Sequence, residues 1–460
     1  MNISYIAKLK IVSAVLTASL LVGICANMAK AGMIAVNSES AKEHGEMVAR
    51  IKRDKASYST ILGDICDRND DFIMNSNDVI VKSSNEYDDA YTYILGNVHF
   101  DTPGILNTQY DVLTDTSYSE EHDKGTGIRL TIDDTLQKSI YSMIENNRKA
   151  VVVMEKESGK ILAMVSSYEE PFSLSGDLSD EQLESYSKAS QPVWLNEALN
   201  CYPSGSVMKV MTSAAAIDSG KGDFTVNDYG SVSFNGKTIS DSYSADGSLV
   251  DILTAFIKSS NVYFSSIAVE LGNEIMKDYV NRFLLNDRIV TDFGIINNRS
   301  LLKKKKNNDF AIGTFGYGQG GEFSTVTLCM IVQGALTGKI WQPHIISGTF
   351  CYDEDGEMED LTETEEKVLS ENIVSQETCK AVEQLMNASA KDKGLAEDVG
   401  VKSGTAEITL GDGKSGNRAT MVGISQDKYI IAISEVSEGT LYGSSHKELM
   451  RNITDLLREY

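Results

Sequence analysis

Apolar runs and the polar breaks between them divide the chain into stretches of different texture. Ile11 to Ala29 carries no charge and is dominated by Val, Leu, Ile and Ala. About nineteen such residues are near the minimum for a membrane span, and Lys8 and Lys10 ahead of them predict that the N-terminus stays inside and the remainder faces outward. Ala29-Lys-Ala31 also has the form of a signal-peptidase site, so residues 1–31 read as an anchor or as a cleaved export signal, the anchor being preferred. Residues 32–126 are polar and acidic. Helical periodicity over Ser40 to Tyr58 and strand-like pieces at Asp64 to Ile73 and Tyr91 to Val98 predict a small, irregular pedestal there.

The pattern changes at Gly127. Ile128 to Ile132 alternates as a strand, Asp133 can cap a helix to about Asn147, and Ala150 to Val165 reads as a hairpin turning at Glu157 to Gly159. Both arms are apolar enough to lie centrally in a sheet. A polar excursion, Ser167 to Gln191, leads to a helix opening at Ser206 and unbroken until Gly220; being apolar on every side, it should be buried. A second helical pattern starts at Asp251, breaks at Lys258-Ser-Ser-Asn261, resumes at Val262 and closes at Gly272. Glycine-rich Gly316 to Gly321 precedes an apolar helix, Thr327 to Leu336. Val399 to Leu410, Ala419 to Ile424 and Tyr429 to Ser434 read as strands, Gly411 to Asn417 as a hairpin loop, and Lys447 to Arg458 as a closing helix. Strands after a run of helices, framed by the earlier hairpin and helix, predict an α/β protein of the α+β type with a mostly antiparallel sheet flanked by helices.

Composition narrows the function. At 460 residues the chain can hold two or more domains, and a formal charge of -24 argues against nucleic acid or anionic membrane surfaces as partners. The run Lys303 to Lys306 is the exception and reads as a solvated loop. Cys25, Cys66, Cys201, Cys329, Cys351 and Cys379 form no C-x-x-C, and His44, His99, His122, His344 and His446 form no H-E-x-x-H. The expectation is therefore free buried thiols, no metal and no cofactor. Gly413-Lys-Ser415 is not a P-loop, because Ile408 stands where the first glycine would be.

The candidate chemistry starts at Ser206 and Lys209. Three residues apart on one helical face, the pair would place a lysine inside an apolar helix, where burial disfavours the ammonium and makes the amine a base for the neighbouring hydroxyl. A capped core helix is the bland alternative, and Ser-x-x-Lys recurs at Ser185, Ser300, Ser425 and Ser444. Only Ser206 opens an apolar helix behind a Pro-Ser-Gly turn. Ser259 and Asn261, between two apolar helical pieces, either enter a cleft or cap the second helix. Lys402-Ser403-Gly404 lies in the first late strand.

Ser206-x-x-Lys, then Ser259-x-Asn, then Lys402-Ser-Gly in this order resemble the penicillin-binding protein and serine β-lactamase superfamily. Leu130 to Gln137, Ala150 to Ser166, Asn196, Gly318-Gln-Gly320 and Lys402 to Glu407 extend that likeness from about Gly127 to the end. Asp64 to Met74, and Leu95-Gly96 through Gly104-Ile105 to Tyr110, are similar to the N-terminal region of class B penicillin-binding proteins.

The resemblance implies a membrane anchor and cytoplasmic tip (1–31), a pedestal (32–126) and a transpeptidase domain with a helical subdomain (127–460), held outside the cell membrane by a single span. It implies that Ser206 forms an acyl-enzyme with peptidoglycan stem peptides or β-lactam antibiotics and that Lys209 takes its proton. Ser259 and Lys402 would return a proton to the leaving amine while Asn261 holds the substrate amide. Ser403, Gly404 and Thr405 would bind the terminal carboxylate, the backbone N–H groups of Ser206 and Thr405 would form the oxyanion hole, and a membrane glycosyltransferase would be a partner. Too little chain precedes Gly127 for a glycosyltransferase, so class B is expected over the bifunctional class A.

Leu106, Glu197 and Leu328 depart from the family pattern, which has an acid, an arginine and a proline there, and Ser260 replaces the aspartate of S-D-N. A serine β-lactamase and a non-catalytic β-lactam sensor or scaffold are the competing functions.

Overall fold

The computed structural model describes residues 61–75, 87–97, 104–119, 124–170, 172–176, 178–189, 193–302, 308–410, 413–439 and 441–459. The expected anchor or signal, the helical stretch Ser40 to Tyr58 and the run Lys303 to Lys306 lie outside the described residues. Among the described residues no helix is long and apolar enough to cross a membrane.

Asp64 to Ile73 is a short hairpin. Its arms, β1 (Ile65–Cys66) and β2 (Phe72–Met74), are joined by a turn in which Asp67 Oδ1 accepts from Asn69 N at 2.7 Å and Asp71 N at 3.0 Å. The described part of Tyr91 to Val98 is helical rather than extended: a 3-10 turn, Asp89–Tyr91, runs into helix Thr92–Leu95. Asp88 caps the turn through Ala90 N, and Tyr91, Ile94 and Leu95 are buried at helical spacing, which so short an apolar run does not distinguish from a strand.

The next elements match the sequence pattern. After β3 (Gly127–Leu130), Asp133 accepts from Leu136 N at 2.9 Å and starts α1 (Asp134–Ile144), and β4 (Lys149–Glu155) and β5 (Ile161–Ser167) form the hairpin. A helical layer follows, made of α2 (Lys209–Asp218), α3 (Ile252–Lys258), α4 (Asn261–Arg282), α5 (Asp309–Tyr317) and α6 (Thr325–Thr337). Gly272 does not close α4; with φ of 81° it kinks the helix, which resumes and reaches Arg282. Then come β6 (Ile346–Tyr352), β7 (Met358–Glu363), α7 (Gln376–Asp392), β8 (Val399–Thr409), β9 (Ser415–Ser425), β10 (Tyr429–Ser437) and α8 (Lys447–Leu457).

The main sheet has the order β8-β9-β10-β4-β5, antiparallel throughout. On one face Val151, Val153, Val401, Met421, Ile431 and Ile433 pack with α1 residues Leu136 and Ile140 and α8 residues Met450 and Ile453. Helix α6 lies against the sheet as well and is buried over most of its length. Of the two hairpin arms expected in the sheet centre, β4 is central and β5 is at the edge. β5 is nonetheless fully buried, because α1 and the segment Asp89 to Leu95 pack on it. The second sheet, β7-β6-β3-β1-β2, joins β1 to β3 in parallel across the expected boundary at residue 126, and the compact unit containing both begins at Ile61.

One outer strand of the main sheet is β8. Its free edge faces the turn that precedes α2, and the candidate chemistry lies in that gap.

Candidate active site

Ser206 lies in a 3-10 turn, Gly205–Met208, one turn before the α-helix proper, and Lys209 is the first residue of α2. Gly205 has φ of 58°, and a Cβ there would come within 2.7 Å of Thr405 O. Glycine is needed because the turn must touch the β8 backbone. The loop is pinned from behind: Gly205 N donates to Gly318 O at 3.1 Å, Thr420 Oγ1 to Ser204 O at 3.2 Å, and the buried Arg418 guanidinium to Tyr202 O at 3.2 Å and Phe323 O at 2.8 Å. Gly318, in the glycine-rich loop Gly316 to Gly321, serves this contact; its Cβ would fall 1.7 Å from Gly205 O.

Lys209 is fully buried, as the apolar helix implied. Its ammonium reaches Ser259 O at 2.5 Å, Ser259 Oγ at 3.2 Å and Asn261 Oδ1 at 2.8 Å; Ser206 is not among these partners. Burial lowers its pKa to about 7, against a smaller opposing pull from Asp241, so that the neutral amine is populated near neutrality. Lys402 Nζ, also buried, donates to the same Ser259 Oγ at 3.0 Å and to Ser403 O at 2.8 Å. Burial holds its amine well below the ordinary lysine range, and the charges of Lys209 and Lys393 push it the same way. Two amines thus share one hydroxyl, and full charge on both is disfavoured. The Phe264 and Phe256 rings lie 5.5 Å from Lys209 Nζ and 5.6 Å from Lys402 Nζ, near enough for some compensating cation–π attraction.

The Ser-x-Asn turn meets both readings of its sequence, at different residues. Ser260 is the helix cap, its Oγ accepting from Tyr263 N at 3.0 Å, while Ser259 and Asn261 on either side line the cleft. Ser259 takes a left-handed conformation, φ 60° and ψ 42°, which turns its hydroxyl toward the two lysines.

Ser206, Ser259, Asn261, Ser403, Gly404 and Thr405 line a single cavity of about 630 Å³, with Lys209 and Lys402 bonded beneath. A Cβ on Gly404 would lie 2.9 Å from Ser206 N, so this glycine sets the approach of β8 to the Ser206 turn. Gly443 N donates to Thr405 Oγ1 at 3.1 Å, which leaves the Thr405 hydroxyl hydrogen available for an anionic ligand. Sequence reasoning missed Ser240 and Asp241, which lie in a polar excursion of isolated short strands between α2 and α3. Asn261 Nδ2 donates to Ser240 O at 2.9 Å and its backbone N–H to Asp241 Oδ1.

Glu197, where the family pattern has arginine, is buried and bonded to Arg148 Nε at 3.2 Å, Asn200 Nδ2 at 3.0 Å and the Tyr168 hydroxyl at 3.0 Å. Arg148 immediately precedes β4, and the two side chains form a largely buried ion pair. Among the described residues no three His, Cys, Asp or Glu side chains are grouped to hold a metal. Cys66, Cys329 and Cys379 are free and buried; Cys201 and Cys351 are free and half-buried.

The family profile described as penicillin binding protein transpeptidase domain matches residues 149–455. Penicillin-binding protein PbpB of Mycolicibacterium smegmatis is 26% identical over 349 residues, 68% of this chain and 50% of that protein. Peptidoglycan D,D-transpeptidase MrdA of Acinetobacter baumannii is 22% identical over 366 residues, 72% of this chain and 54% of that one. The chain thus spans about half the length of these curated relatives. Among solved structures, the D,D-transpeptidase domain of a peptidoglycan glycosyltransferase from Eggerthella lenta superposes with a TM-score of 0.74 at 19% identity, covering 87% of this chain and 99% of that one. Penicillin-binding protein A from Mycobacterium tuberculosis, as its ceftriaxone acyl-enzyme, gives 0.76 at 18% identity, with 88% and 99% covered.

Proposed function

This chain belongs to the penicillin-binding protein transpeptidase family, and on that premise we propose that it is a serine acyl-transferase crosslinking peptidoglycan stem peptides and acylated in turn by β-lactams. The observation that carries the proposal is the convergence of two desolvated lysines on Ser259 at the floor of the cavity that Ser206 lines.

Ser206 Oγ attacks the carbonyl between two D-alanines, and neutral Lys209 takes its proton. The negative oxygen of the tetrahedral intermediate is received by the backbone N–H groups of Ser206 and Thr405, where one such donor is typically worth about 3 kcal/mol. As the terminal D-alanine leaves, Ser259 gives its nitrogen a proton and is recharged through Lys209 or Lys402. Asn261 holds the peptide amide, and Ser403 and Thr405 hold the terminal carboxylate along the edge of β8. An amine of a second stem peptide then attacks the ester, giving the crosslink. Residues 1–31 anchor the chain with its catalytic domain outside the membrane, beside a membrane glycosyltransferase that supplies nascent strands. The reaction needs no metal or cofactor, since the lysines supply the base and the backbone the electrophilic stabilisation.

The protein incubated with a stem pentapeptide and an acceptor amine is expected to release D-alanine and form the new amide, and Ser206→Ala is expected to do neither. Release of D-alanine by Ser206→Ala would contradict the proposal. Rapid catalytic turnover of penicillin would make the protein a β-lactamase instead.

A further inference from the structure

The excursion between α2 and α3 carries two carboxylates that no step above uses. Asp241 Oδ1 accepts from the backbone N–H of both Asn261 and Val262, the latter at 3.1 Å, so it closes the N-terminus of α4 from outside the helix. Asp228, buried, takes the Ser260 hydroxyl at 2.9 Å and the Tyr243 hydroxyl at 2.6 Å on Oδ2. Ser260 Oγ also lies 3.4 Å from Asp241 Oδ2, so one hydroxyl bridges the pair. Beside them Ser240 O receives Asn261 Nδ2, which fixes the amide with its oxygen toward Lys209 Nζ.

Resting on the acyl-transfer reading, we propose that Asp241, held by Asp228, is a positioning residue that docks the Asn261 backbone, keeps the Asn261 carbonyl on Lys209 and biases the charge of that lysine. Chemistry and geometry agree on the direction. The groups facing Asp241 are Asp228 and Tyr243 from its own excursion and Lys209 from α2; those facing Lys209 are Asp241 and, from β8, Lys402. Burial and the neighbouring Asp228 push the Asp241 carboxyl above the usual range, while Asp228, with its hydroxyl and N–H donors, stays below it. A negative Asp241 favours the Lys209 ammonium, so its loss lowers the pKa of the base.

The test compares Asp241→Ala and Asp241→Asn by the second-order rate of acylation with benzylpenicillin across pH. Alanine removes the dock and is expected to slow acylation by about 10²-fold, the scale of a misplaced reacting group. Asparagine can accept both N–H groups on Oδ1 and donate from Nδ2 to Asp228, so it is expected to restore most of the rate with the ascending pH limb displaced to lower pH. A purely structural role would not move that limb. Wild-type rates in Asp241→Ala, or no displacement in Asp241→Asn, would overturn the inference; if the alanine variant does not fold, the asparagine limb decides. A crystal structure of either variant separates this claim from the acyl-transfer reading. Loss of the Lys209–Asn261 contact in Asp241→Ala is expected, and its retention overturns the inference whether or not the wild type is acylated. An unacylated wild type would sink the acyl-transfer reading.

Discussion

Lys209 is the residue on which sequence and structure agree most usefully, because a lysine in an all-apolar helix needs a reason. The reason is a set of polar partners contributed by residues some fifty positions away, Ser259 and Asn261, which line the cavity above the buried amine. With the pKa drawn down to about 7, the base form is scarce below neutrality and dominant above it. Acylation by benzylpenicillin should therefore rise with pH, about tenfold per unit well below pH 7, and level off above it. A stopped-flow pH profile checks this, and a flat profile between pH 5 and about 8 would contradict it. Lys209→Ala is expected to lose acylation by about 10² to 10⁴, measured with a fluorescent penicillin. Glu197 makes a different kind of prediction. Because it is buried and paired with Arg148, Glu197→Ala should destabilise the protein by about 3–5 kcal/mol in denaturant titration, with Arg148→Ala adding much less on top than it costs alone.

At the level of elements, the site exists because backbones come unusually close. The Ser206 turn, the end of α5 and the edge of β8 meet at Gly205, Gly318 and Gly404, and a methyl group at any of them would strike backbone. Gly318→Ala is therefore expected to cost about 1–3 kcal/mol and to slow acylation by pushing the Ser206 turn. Gly220→Ala is the control: its φ of 72° is equally left-handed, but its Cβ would meet nothing within 4 Å, so it should leave acylation unchanged. Equal acylation defects in the two variants would show that backbone strain, not close approach, is what glycine relieves here. The short elements were the least legible in the sequence. Tyr91, Ile94 and Leu95 satisfy a helix and a strand alike over so few residues, and the Asp88 cap decides between them. Gly272 reads as a stop because glycine breaks helices, yet the chain kinks there and resumes.

At the scale of the whole molecule, the late strands, the β4–β5 hairpin and the buried helix were legible because their apolar periods are long and cleanly bounded. Which strand lies at an edge was not, since β5 is covered by α1 and Asp89 to Leu95, packing that no local pattern records. Nor was the parallel pairing of β1 with β3, which depends on residues more than sixty positions apart. Seven of the candidate site residues were legible as three short motifs in order, Thr405 being implied only by the family resemblance, and the fold gathers all eight in or directly beneath one cavity. Asp228 and Asp241 were not, because a lone aspartate in a polar stretch looks like surface until the turn it holds is seen. The proposed anchor belongs to this scale too. The full chain is expected to fractionate with membranes and a chain starting at Gly32 to remain soluble; membrane retention of the shortened chain would contradict the anchor.

In the proposed reaction one hydroxyl, Ser206, is made nucleophilic by a buried amine. The most direct test is the mass of the intact protein after brief exposure to benzylpenicillin, followed by mapping of the modified peptide. A single long-lived adduct carrying the whole mass of the drug is expected on Ser206, absent in Ser206→Ala and severely delayed in Lys209→Ala. An adduct that persists in Ser206→Ala, or one that forms at the normal rate in Lys209→Ala, would contradict this mechanism.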